Sequence, residues 1–181
     1  MKIIAIAGGS GSGKTSVSNE IVRLFPDKYE ILRFDSFQKD KSDKGIERVD
    51  DYINWDHPNV ILWSDLYKEI SKNKRTKKEK ILIVDGYLSL YSNKINELYD
   101  LKIFLVLDEK TRNIRRIKAR GGKETRDGRV GYISKVLNPM HDKYVEPTKN
   151  YADETILISN SSVSFLAQHV IKLIKHYNII K

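Results

Sequence analysis

The 181-residue sequence has no cysteine. That absence excludes disulfide bonds and thiol catalysis. It also has no apolar run near the roughly 18 residues that cross a bilayer, so no membrane partner is expected. The first apolar run, Ile3-Ile4-Ala5-Ile6-Ala7, stops at Gly8. It is too short for the h-region of a secretory signal, which makes the cytoplasm the expected location. Four histidines, His57, His141, His169 and His176, show no metal-ligand spacing. No Ser/His/Asp arrangement is readable, no internal repeat appears, and no linker divides the chain. One domain over 1–181 is the expectation.

What is present reads as a folded globular chain: 40% hydrophobic and 31% charged residues. A chain of this length buries about 70% of its unfolded surface. The net charge of +9 raises the question of nucleic acid. Much of it is local, because Lys72, Lys74, Arg75, Lys77, Lys78 and Lys80 crowd one stretch beside Glu79. Such a run is usually a solvated loop, and no aromatics interleave with it as strand-binding surfaces require. No nucleic-acid partner is expected.

The most specific feature is Gly8-Gly9-Ser10-Gly11-Ser12-Gly13-Lys14-Thr15, which meets G-x-x-x-x-G-K-[ST] at each fixed position. It follows the apolar run and precedes a helical pattern carrying Val17, Ile21, Leu24 and Phe25. Strand, glycine-rich turn and helix is the setting of a phosphate-binding P-loop. Glycines let backbone N–H groups turn inward onto phosphate oxygens, and the helix N-terminus faces the same anion. Lys14 is expected to reach the β/γ-phosphates of ATP and the Thr15 hydroxyl to ligate Mg²⁺.

Strands then alternate with helices. Tyr29 to Phe34 reads as a strand, and residues 38–51 as a polar, irregular loop. Pro58 opens a helical pattern with Trp63, Leu66, Tyr67 and Ile70 on one face. Ile81-Leu82-Ile83-Val84 is apolar on both alternating faces, as in a strand covered on both sides. Ile95 to Leu98 is a short helix candidate, Leu101 to Leu107 another strand, and Asp108 an N-cap for a helix to about Arg120 that Gly121-Gly122 breaks. Val130 to Tyr144 reads as helix interrupted near Pro139. Thr155 to Ile158 is the last strand, before an amphipathic helix marked by Val163, Leu166, Val170, Leu173, Ile174 and Tyr177. The pattern predicts a three-layer α/β/α P-loop NTPase fold with a mostly parallel five-stranded sheet, and ligands at the carboxyl ends of its strands.

Three aspartates fall at or beyond those ends. Asp85 terminates a buried strand, where a carboxylate either holds Mg²⁺ or starts an ordinary turn. Asp35 either takes a proton from an attacking hydroxyl or caps a helical turn. Asp56, before His57-Pro58, either caps a helix or holds substrate hydroxyls, and spacing leaves the two even. Arg112, Arg116 and Arg120 fall at i, i+4 and i+8 on one helix face. Arg115 lies nearby, and Arg126 and Arg129 follow in a segment with Gly121, Gly122 and Gly128. Guanidinium groups offset the charge spread over a transferring phosphoryl group, so about 109–130 reads as a helical, arginine-bearing lid over ATP.

Taken together, these motifs resemble the uridine kinase branch of the phosphoribulokinase/uridine kinase family of P-loop kinases. The resemblance runs through the P-loop, Asp35-Ser36-Phe37, Asn54-Trp55-Asp56-His57-Pro58, Val84-Asp85-Gly86, Asp100-Leu101-Lys102-Ile103-Phe104 and the arginine helix. Pro139-Met140-His141 and Glu146-Pro147-Thr148-Lys149-Asn150-Tyr151-Ala152-Asp153 complete it. It implies transfer of the ATP γ-phosphate to the 5′-hydroxyl of a ribonucleoside, uridine or cytidine. By the same resemblance Asp35 is the base, Asp56 holds the ribose hydroxyls, Arg116 contacts ribose and phosphate, and Arg120, Arg126 and Arg129 close over ATP. The chain departs from the branch in three places. Gln38 stands where uridine kinases usually have tyrosine, and Asp85 replaces their glutamate. Between Pro58 and Asp85 the insertion carrying the base-recognising tyrosine and histidine is missing. Nicotinamide riboside kinases, which build the base pocket differently, are the related alternative. Whether the chain forms a homo-oligomer is left open.

Overall fold

A computed structural model of the chain describes residues 1–76, 79–125, 129–159 and 161–179. Five parallel strands form the central sheet: β1 (Lys2–Gly8), β2 (Tyr29–Arg33), β5 (Ile81–Asp85), β6 (Leu101–Val106) and β7 (Glu154–Leu157). Two further strands, β3 (Arg48–Val49) and β4 (Tyr52–Ile53), pair with each other as a small antiparallel hairpin. The sheet order is β2-β5-β1-β6-β7. The chain therefore crosses to one side of β1 and later to the other, which leaves a crevice at the carboxyl end of β1.

Strand alternation divides the interior into two layers. Ile4 and Ile6 of β1 join Ile81, Ile83, Ile103 and Leu105 under α1 (Lys14–Leu24) and α6 (Val163–His176). Ile3, Ala5 and Ala7 join Leu82, Val84 and Phe104 on the other face, under α2 (Trp63–Arg75) and the short α3 (Asn93–Asn96). Each fully buried isoleucine contributes about 1.5–3 kcal/mol, so the sheet core is what holds the crevice rigid. Asp108 caps α4 (Glu109–Ala119) by accepting from the Thr111 N–H at 2.9 Å, and Ser162 caps α6 through the Phe165 N–H. Gly121 and Gly122, at φ 66° and 85°, take the left-handed conformations that end α4.

Three expectations are corrected. The stretch 38–51, expected as irregular loop, contains β3, which pairs with β4 just beyond it; two residues in each strand are too few for a periodicity to show. Pro58 opens only a 3₁₀ turn, Pro58–Val60, and the helix itself starts at Trp63. The helical run through Pro139 is not interrupted. It passes from a π-helical turn (Ile133–Leu137) through α5 (Asn138–Met140) into a second π-helical turn (His141–Val145) and a 3₁₀ segment (Glu146–Tyr151). Tyr132, Asn138, His141 and Glu146 all keep right-handed helical dihedrals. A π turn re-pairs carbonyls one residue further along, so a missing proline N–H need not end the helix.

Candidate active site

The P-loop fills the crevice at the end of β1. Gly9 O accepts from Lys14 Nζ at 2.9 Å and from the Ser12 N–H at 3.0 Å, which curls the loop back on itself. Helix α4 lies directly across it. A Cβ at Gly11, where φ is +84°, would stand 2.3 Å from Arg112 O, and one at Gly9 would stand 2.6 Å from Arg112 Nη1 and 2.8 Å from the His141 ring. Arg116 Nη1 donates to Ser10 Oγ at 2.6 Å. The i, i+4 spacing thus places Arg112 and Arg116 on one face, as the sequence predicts, and that face rests on the loop.

Strand register brings the carboxylates together. Asp85 lies opposite Ile6 of β1 and Arg33 of β2, at the level where the P-loop begins. Arg33 Nη1 donates to Asp85 Oδ2, and its Nη2 donates to Asn19 of α1. Asp35 follows β2 in the 3₁₀ turn Phe34–Phe37, which has no side-chain cap. Burial lowers the Lys14 ammonium from its ordinary value, while Asp85 and then Asp35 hold it up. Asp35 is exposed by surface area, yet the surrounding protein desolvates it enough to raise its carboxyl against the pull of Lys14. Lys14, Asp35 and Asp85 therefore share one electrostatic site.

Asp56 is buried within electrostatic reach of this group, 7% exposed. Tyr132 donates to its Oδ2 at 2.7 Å. Burial raises the Asp56 carboxyl, and Arg116, the Tyr132 hydroxyl, Arg120 and Lys14 offset part of that rise. The open alternative of Asp56 as a helix cap is not realised, because His57 Nδ1 accepts the Asn59 N–H and caps the turn. Arg120 ends α4 within the electrostatic reach of Asp56. Arg129 is placed elsewhere: its Nη1 donates to Asp51 O at 2.6 Å and its guanidinium lies 5.9 Å from the Tyr52 ring, on the hairpin. Arg126 lies outside the described residues, as does Gly128.

Three residues at the site, Arg33, Tyr132 and Tyr87, escape motif reading, and His141, part of Pro139-Met140-His141, has no role assigned from sequence. Arg33 holds Asp85, a pairing that only strand register reveals. Tyr132 holds Asp56. Tyr87, after Gly86, is buried and donates to Trp55 O at 2.9 Å. His141 packs against Gly9 beside Arg112, and burial together with Arg112 lowers its imidazole to about 4. Among the described residues no three His, Asp or Glu side chains converge as a metal cage. One buried carboxylate, Asp85, and the hydroxyl of the exposed Thr15 suit Mg²⁺, which takes one or two protein ligands and completes its octahedron with phosphate oxygens and water.

The sequence profile described as the phosphoribulokinase / uridine kinase family matches residues 3–81 and 71–163. The chain belongs to that family. A uridine kinase of Clostridium novyi (strain NT) is 37% identical, over 83% of this chain and 84% of the relative. A uridine kinase of Streptococcus pneumoniae (strain Hungary19A-6) is 34% identical, over 96% and 94%. The second alignment runs over 202 positions, more than the 181 residues present here, so that relative carries residues this chain lacks. The two profile matches overlap at residues 71–81. Among solved structures, shikimate kinase from Acinetobacter baumannii in complex with shikimate superposes with a TM-score of 0.64, over 99% of this chain and 96% of that one. At 16% identity that likeness shows the P-loop kinase fold alone.

Proposed function

We propose that this family member is a nucleoside kinase that transfers the γ-phosphate of ATP to the 5′-hydroxyl of a ribonucleoside, uridine or cytidine. The observation that carries the reading is the placement of a third carboxylate, the buried Asp56, beside the Lys14–Asp35–Asp85 group and Arg116. A hydrolase or a nucleotide-regulated module needs the P-loop but no acceptor site of this kind. We read 1–181 as one kinase domain. We place it in the cytoplasm, where ATP and Mg²⁺ are supplied.

In this reading Gly8, Gly9, Ser10, Gly11, Ser12 and Gly13 direct backbone N–H groups at the phosphates, and Lys14 bridges the β- and γ-oxygens. Thr15 and Asp85 would hold Mg²⁺, which when bound would supply charge against the phosphate oxygens. Asp56 fixes the ribose diol, with Tyr132 supporting it. Asp35 accepts the 5′-hydroxyl proton as that oxygen attacks. Its raised pKa brings a carboxylate closer to working pH, and it must be ionised to act. Arg116, based on Ser10, stands where charge develops on the transferring group, and Arg120 lies behind it. Positioning and charge stabilisation supply most of the rate in such transfers.

The test is ADP formation with uridine, cytidine and nicotinamide riboside as acceptors, in wild type and in Asp35→Ala. Acceptor-stimulated turnover that falls by at least ~10²-fold in the variant is expected of a lost general base. Turnover should also drop on the acid side as Asp35 protonates, and that limb should vanish in Asp35→Ala. Near-normal turnover in the variant removes Asp35 from the mechanism. No stimulation by any acceptor removes the kinase reading.

A further inference from the structure

The uridine kinase relative carries residues that this chain lacks, and the polar groups this chain does place near Asp35 and Asp56 can be read directly. One hydrogen-bond chain beside the acceptor carboxylates has a fixed direction. Trp55 O is a carbonyl and can only accept. Tyr87 Oη lies 2.9 Å from it and has one proton, which that contact uses. Gln38 Nε2 lies 3.4 Å from the same Tyr87 oxygen. The phenol has no proton left to give, so the Gln38 carboxamide must be the donor there. Its NH₂ end is thereby turned toward Tyr87, and its carbonyl Oε1 is turned away as an acceptor. Free carboxamides flip between two nearly equivalent orientations, and this one is denied the choice.

The backbone at Gln38 is equally constrained. Gln38 bridges to Ile61, the Gln38 N–H donates to Asp35 O at 3.3 Å, and the flanking Lys39 and Leu62 N–H groups donate to Val60 O and Phe37 O. Gln38 is three residues beyond Asp35, and Tyr87 is 8% exposed between the charges of Asp56 and Asp35. The carboxamide thus stands next to the place where a nucleoside would sit.

We infer that Gln38, oriented by Tyr87 and Trp55, is a specificity-determining residue whose Oε1 accepts a hydrogen bond from an N–H group on the acceptor's base. The inference rests on the nucleoside kinase reading above. It selects bases that present an imide or amino N–H, uracil N3–H or the cytosine amino group, over those where that proton is replaced.

Two substrate pairs test it: uridine against N3-methyluridine, and cytidine against N4,N4-dimethylcytidine. Each is measured as kcat/KM at saturating Mg-ATP in wild type, Gln38→Leu and Tyr87→Phe. Wild type should prefer the unmethylated member of at least one pair by about tenfold or more, the scale of one hydrogen bond. Gln38→Leu should bring that ratio toward one while the KM for ATP stays unchanged. Tyr87→Phe keeps the ring but frees the carboxamide to flip, and should compress the ratio partway. Because it retains Gln38 itself, it also serves if Gln38→Leu folds poorly. An unaltered ratio in both variants, or no wild-type preference in either pair, overturns the assignment and leaves the kinase reading standing. Failure to phosphorylate any nucleoside overturns the kinase reading, and this assignment with it.

Discussion

Replacing Tyr132 with phenylalanine removes one oxygen from a buried polar contact of the site. Tyr132 is 3% exposed and Asp56 7%, and the hydroxyl donates to Asp56 Oδ2 at 2.7 Å. The ring contacts remain in the variant, with Tyr52 at 5.8 Å and the Arg116 guanidinium at 5.6 Å, so the change isolates the hydrogen bond. A bond to a charged acceptor is worth about 1.5–3 kcal/mol. For a chain of this size each kcal/mol moves Tm by about 2–4 °C, so the expected fall is about 3–12 °C. The loss should depend on pH in a definite direction. Burial raises the Asp56 carboxyl above its ordinary 3.8, and the Tyr132 hydroxyl is one of the groups holding it down. A raised folded pKa means that folding takes up a proton, so stability falls as pH rises from about 4 through the folded value. Tyr132→Phe raises that value further and carries the fall on to higher pH. Below it the bond lost is a neutral one, worth only about 0.5–1.5 kcal/mol. Denaturant unfolding at pH 4 and pH 8, with Asp56→Asn completing a double-mutant cycle, measures both effects. A loss equal at the two pH values, or strict additivity with Asp56→Asn, would refute the argument.

Two more outcomes follow from the packing of α4 on the P-loop. Gly9→Ala would press a methyl group against Arg112 Nη1 and the His141 ring, and should cost about 1–3 kcal/mol of overpacking. Part of that should return in the Gly9→Ala/Arg112→Ala double variant, and full additivity in unfolding experiments would show that no contact is made. His141, faced by Arg112, Glu146 and Asp142, titrates at about 4 instead of 6.5. Its contribution to stability is therefore complete above about 6.5 and is lost as pH falls toward 4. His141→Gln should remove up to about 1.4 kcal/mol per pH unit of slope in that window. Unfolding free energies from pH 7 to pH 5 that are parallel in wild type and variant would count against it.

Parts of the site were legible because their chemistry is local in sequence. The P-loop needs glycines, a lysine and a hydroxyl at set spacings within one turn, and such spacings survive as text. The i, i+4 spacing placed Arg112 and Arg116 on one face for the same reason. The three central strands were legible from their apolar runs, which burial on both sides demands, while the edge strands β2 and β7 are only partly buried. Asp56 was not resolved by spacing, since a helix cap and a buried carboxylate look alike until the Asn59 N–H is seen to donate to His57 instead. Arg129 reads as one more lid arginine, yet it is placed on the hairpin by Asp51 O and Tyr52, contacts 78 residues away in one case.

The sequence alone determined the fold class and the P-loop, because strand alternation and loop closure depend on neighbours within a few residues. Only the tertiary structure decided what surrounds that loop. Arg33 meets Asp85 because two strands far apart in the chain run parallel in one register. Tyr132 meets Asp56 across 76 residues, and Arg116 meets Ser10 across 106. Such pairings are set by how layers pack, and the residue types at their two ends carry no mark of each other until the sheet has folded.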